Sequence, residues 1–105
     1  MPLNFSGFIV EVDKPPDDEL QHLLSEVKHL NSYDRSMVPC PSGDENKISF
    51  IIATTSEFNK NHLADDIKAI FKREIEPKNF SSASATEKER KAMRTARRCA
   101  YEDRI

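Results

Sequence analysis

Lys47 to Thr55 reads KISFIIATT, and this stretch decides the fold. Ile48, Phe50 and Ile52 alternate onto one face of an extended strand, while Ile51 and Ala53 fall on the other. Neither face can be left in water, so the run is a central strand. The rest of the chain has to pack around it.

The neighbouring strand is Phe5 to Val12. Phe8, Val10 and Val12 share one face, whereas Ser6 and Glu11 share the other with Ile9. One side is therefore covered and the second partly wet. Gly7 interrupts the run and marks a bulge or a close backbone approach. Asp13 to Glu19, DKPPDDE, is a helix start, because prolines fit a first turn and the acids complement the positive end of the helix dipole. Leu20, Leu23, Leu24, Val27 and Leu30 then form one apolar stripe, ended by Asn31. A second helix, capped by Asn59 or Asn61, carries Leu63, Ala64, Ile67, Ile70 and Phe71 on its buried side. Asp65 and Asp66 open it, Lys72 and Arg73 close it, and Pro77 stops it.

Between the first helix and the central strand, Ser32 to Asn46 is irregular. Tyr33, Met37 and Val38 give a short strand that turns through Ser42, Gly43 and Asp44 and runs antiparallel to the central strand. Pro39, Pro41 and Gly43 put it at a sheet edge. A loop displayed on a scaffold is a natural binding element, which makes Tyr33, Arg35, Met37, Asp44 and Glu45 candidate partner contacts.

These elements predict an α+β fold: a small two-layer β-α-β-β-α sandwich, an incomplete ferredoxin-like unit lacking its last strand. The connection from Val12 to Lys47 is long enough for a right-handed crossover, which would lay the first strand parallel beside the central one. Three strands would leave one edge unpaired, a route to a homodimer. Residues 1–78 form the body, 79–85 a Ser/Ala linker and 86–105 a C-terminal amphipathic basic helix.

Charge separates the last two parts. Residues 1–85 hold nine Lys or Arg against fourteen Asp or Glu, a net of -5, whereas residues 86–105 hold seven against four, a net of +3. Thr86 and Glu89 form a capping box, and Ala92, Met93, Ala96 and Ala100 line a narrow apolar stripe. Arg90, Arg94 and Arg97, flanked by Lys91, Arg98 and Tyr101, make a broad basic side suited to a partner or to a nucleic-acid backbone.

Several function classes are excluded by what the 105 residues lack. With two glycines, the chain has no phosphate-cradling loop. His22, Glu26 and His29 have a metal-like spacing, but the histidines stand about 10 Å apart along the axis, too far for one ion. Cys40, in Pro39-Cys40-Pro41, is expected in a rigid, exposed loop, and both cysteines are expected as free thiols. Nothing couples a nucleophile to a base and oxyanion donors, so no enzyme and no cofactor is expected. No basic start precedes an apolar run and no apolar segment could span a bilayer, so a cytoplasmic location with no membrane role is expected.

The functional expectation is a small protein-binding factor, a regulator, inhibitor or immunity-type protein, acting stoichiometrically on a protein partner. Its acids, among them Asp17, Asp18, Glu19, Asp44, Glu45, Asp65 and Asp66, would cover a basic site by charge complementarity. The alternative is a nucleic-acid-binding accessory protein that uses the C-terminal helix.

Overall fold

A computed structural model describes residues 5–29, 35–55, 60–81 and 83–102. Strand β1 is Phe5–Asp13, helix α1 Asp17–His29, β2 Arg35–Pro41, β3 Lys47–Thr55, α2 Lys60–Phe71, β4 Lys78–Asn79 and α3 Glu87–Glu102. The four strands form one sheet in the order β2-β3-β1-β4. Every pair is antiparallel, centred on Ile9↔Ile51 between β1 and β3 and Val38↔Ile51 between β2 and β3.

The α+β reading and the β-α-β-β-α order hold, with two additions. First, the last strand is present: β4 is two residues long and pairs Phe8↔Asn79 and Ile9↔Lys78. With it, the topology is that of a ferredoxin-like β-α-β-β-α-β unit. Second, α3 adds a third layer on the far side of the sheet. The expected parallel pairing is corrected: β1 does lie beside β3, but antiparallel to it. The α1 crossover brings β2 back parallel to β1 with a gap between them, and the β2–β3 hairpin fills that gap from the opposite direction.

The alternation of β3 sorts the core in two. Phe50 and Ile52 join Val10 and Val12 against Val27 of α1 and Leu63, Ile67 and Ile70 of α2. Phe50 also meets Phe71 at 5.4 Å between ring centroids, tilted by 59°, a favourable edge-biased geometry. On the other face, Ile51, Ala53 and Cys40 are covered by Met93 and Ala96 of α3. Ile51 and Ala53 have no residual exposure, so both sides of the central strand are closed.

Helix ends follow the local chemistry. The Pro16 carbonyl accepts from the Leu20 N–H at 2.8 Å behind the acidic first turn of α1. Lys72 takes a left-handed φ of 60° and donates its N–H to the Lys68 carbonyl at 3.0 Å, which closes α2. At α3 the capping box forms in both directions: Thr86 N–H to Glu89 Oε1 at 2.8 Å and Glu89 N–H to Thr86 Oγ1 at 3.1 Å. Leu30, Asn31 and Asn59 lie outside the described residues.

Candidate functional site

A concavity lies where α1 leaves the end of the β2–β3 hairpin uncovered. This groove, of about 690 Å³, has a floor of Leu20, Leu24, Pro39, Pro41 and Ile48 and a rim that includes Lys14, Asp44, Glu45 and Lys47. Such a volume suits a small ligand or an anchoring side chain. Leu24 and Ile48 pack against the helix-side core, but Leu20, at the start of the stripe, lies half-buried in the groove instead.

The hairpin wall is held by its own side chains. Asp44 Oδ1 accepts the Asn46 N–H at 2.9 Å, and Ser42 Oγ accepts the Asp44 N–H at 3.3 Å. Glu11 accepts the Ser42 hydroxyl at 2.8 Å and pairs with Lys47 at 3.8 Å. The Lys14 N–H donates to the Asn46 carbonyl at 2.8 Å, tying the β1–α1 connection to the same turn. The rim is therefore a preformed turn, with Glu45 exposed beside it.

The candidate contacts of the irregular stretch separate in space. Asp44 and Glu45 reach the groove. Met37 is 5% exposed and lies in the helix-side core. Arg35 is turned along the sheet to α2, where its Nε donates to Asp66 Oδ2 at 2.6 Å. Tyr33 lies outside the described residues. The groove floor was missed in the sequence because Leu20 and Leu24 belong to a stripe that reads as core. The prolines beside Cys40 were the available signal, since they confine β2 to an edge.

Cys40 corrects the expectation of an exposed loop. It is 1% exposed, on β2, and faces α3. Pro39 and Pro41 pair with Phe50 and Ile48 and so share the helix-side face of the edge strand, where prolines are tolerated, and the alternation of the strand puts Cys40 on the opposite face, toward α3. Burial pushes its thiol above the ordinary value; the nearby Glu89 charge adds to this and Lys88 opposes it. A thiol held protonated is a poor nucleophile. Cys40 and Cys99 are both free. His22 Nε2 sits 3.1 Å from Glu26 Oε1, and the His29 side chain lies outside the described residues. Among the described residues, no group of three or more His, Cys, Asp or Glu side chains is placed to hold a metal ion.

The apolar stripe of α3 is spent on the sheet, with Met93 and Ala96 buried and Ala92 half-buried. Arg94, Arg97, Arg98 and Lys91 point outward and are exposed. Arg90 is exposed too, and its Nη1 donates to the Ala85 carbonyl at 2.7 Å. The Tyr101 side chain lies outside the described residues. No helix among the described residues is long and apolar enough to cross a membrane. Comparison with known proteins finds no family model that matches this chain, and no curated protein or solved structure with significant similarity to it.

Proposed function

We infer that this protein works by binding rather than by catalysis, as a stoichiometric factor that takes a protein partner at the groove between α1 and the β2–β3 hairpin. The observation that carries the reading is the pairing of an apolar floor, Leu20, Leu24, Pro39, Pro41 and Ile48, with a rim set by a preformed turn. Protein interfaces combine an apolar centre with a polar border, and this groove has that arrangement. The partner supplies one apolar anchor flanked by basic groups. Asp44 and Glu45 lie on one side of the groove, and the exposed Asp17, Asp18 and Glu19 open α1 just before Leu20. Steering by these acids would speed association and reject acidic competitors. An inhibitor, a regulator or an immunity-type protein all fit such a surface.

The edge strand supports a groove-directed mode over strand addition. Pro39 and Pro41 remove two donors from the outer side of β2, and the opposite edge, β4, is two residues long.

The test is affinity capture from a nuclease-treated native lysate, with the wild-type chain and with a Leu20→Glu/Glu45→Lys variant. Leu20 and Glu45 belong to neither core cluster, so the variant should keep the wild-type melting curve. The expected result is a stoichiometric protein on the wild-type chain, lost from the variant. Recovery of the same protein by both chains at the same stoichiometry would overturn the assignment of the groove.

A further inference from the structure

We propose that the outer face of α3 is a second binding surface, independent of the groove, that takes the phosphate backbone of a nucleic-acid duplex. Lys88, Lys91, Arg94 and Arg98 recur three, three and four residues apart along one side of the helix, with Arg97 beside them. All five are exposed. Among the described residues, none of their side chains makes an ion pair or a hydrogen bond. The same holds for Lys14, Lys28, Lys72, Arg73 and Lys78, but those are scattered over the fold, whereas the α3 cations share one side of one helix.

The spacing fits a polyanion. From Lys88 to Arg98 the row is about 15 Å long at 1.5 Å per residue. A duplex carries one negative charge per about 1.7 Å of axis, so each cation has a phosphate within reach. The arginines add forked donors that match phosphate oxygens two at a time. A protein partner fits less well. The centres of protein interfaces are depleted in charge and rich in apolar anchors, and the described outer side chains of α3 offer five cations and the first-turn Glu87 without an apolar centre. Nucleic-acid interfaces are polar and positively charged.

The net charge of -2 does not cancel this field. Layers of helix and sheet pack about 10 Å apart, so α1, with its acidic first turn, lies roughly 20 Å from α3, beyond the sheet. That exceeds twice the Debye length of about 8 Å at physiological ionic strength. Four-stranded sheets that read single-stranded RNA stack bases on exposed aromatics of one sheet face. Here the face opposite α1 and α2 is closed by Met93 and Ala96. What remains is contact with the backbone alone, without base stacking, which favours a duplex over a single strand and gives little sequence preference.

The experiment is fluorescence anisotropy of the full chain with labelled mixed-sequence duplex DNA, duplex RNA and single-stranded DNA, in a salt series. A poly-glutamate competitor separates a nucleic-acid surface from one for acidic polypeptides. With five phosphates neutralised, the slope of log K against log salt should approach about -4.5. The Lys91→Gln/Arg94→Gln/Arg98→Gln variant should lose about 2.7 of that slope and bind at least about tenfold more weakly at low salt. Its melting temperature should stay at the wild-type value, because the three residues are solvent-facing. Absence of duplex binding at about 50 mM salt, unchanged binding by the variant, tighter binding to single strands than to duplex, or displacement of duplex by poly-glutamate at equal charge would each overturn the proposal.

Discussion

Met93 lies over Gly7 so closely that a β-carbon on the glycine would overlap its ε-methyl, and would stand 3.0 Å from the β-carbon of Phe80. The Phe80 N–H donates to the Gly7 carbonyl at 2.8 Å at the same point. A gap in one strand's side chains thus seats the third helix and the segment leading to it. Gly7→Ala should cost about 1–3 kcal/mol by overpacking, and Met93→Ala about 2–5 kcal/mol by leaving a cavity. In the double variant the new methyl enters the space that Met93 vacates, so the combined loss should fall short of the sum. Denaturant titration of the four chains measures this; strict additivity would mean that the two sites do not touch.

The reciprocal cap at Thr86 and Glu89 begins a helix that is part of the core, so its loss should register in global unfolding. Thr86→Ala should remove about 1 kcal/mol. For a domain of this size that lowers the melting temperature by about 4–8 °C. Calorimetry checks it, and a single cooperative transition in both chains is expected.

Arg35 and Asp66 tie the edge strand to α2 with side chains that are 16% and 21% exposed. A partly buried pair stands between the surface and interior cases, so Arg35→Met or Asp66→Asn should each cost about 1–3 kcal/mol. Salt should weaken the contribution less than it weakens an exposed pair. Denaturant melts at low and high ionic strength would show this.

Cys40 gives the chain an alkaline limit. Its thiol is held above the ordinary value of 9.0, first by burial. A raised value in the folded state means that the protonated form is favoured by folding. The contribution is therefore fully present below 9.0 and is lost as pH rises through the folded value. Stability of the wild-type chain should fall relative to Cys40→Ala across that window and run parallel to it below. Thiol labelling should also be slower at the buried Cys40 than at the half-buried Cys99.

Much of the fold was legible in the alternation of Lys47 to Thr55 and Phe5 to Val12, because a strand with two apolar faces admits few surroundings. The cap of α3 was legible because both of its hydrogen bonds are local. Three features were not. Lys78–Asn79 is too short to carry a period, and its pairing depends on Phe8 and Ile9, seventy residues away. The direction of β1 against β3 depends on which strand fills the gap left by the crossover, a property of the whole sheet. Pro39-Cys40-Pro41 read as a loop because prolines lack a donor, yet that lack is harmless on the outer side of an edge strand. For the site, Asp44 and Glu45 were found from loop composition, while Met37 and Arg35 were absorbed by the core and by Asp66. The groove floor was hidden inside a stripe whose first residue, Leu20, extends beyond the core it otherwise marks.

The division of binding between the two sides of the sheet is tested most directly by capturing partners from one native lysate, with and without nuclease, on three chains: wild type, Leu20→Glu/Glu45→Lys and Lys91→Gln/Arg94→Gln/Arg98→Gln. The expected outcome is that the groove variant loses a nuclease-resistant stoichiometric protein and keeps nucleic acid, and that the helix variant does the reverse. Retention of that protein by the groove variant, or loss of both ligands together from either variant, would contradict it.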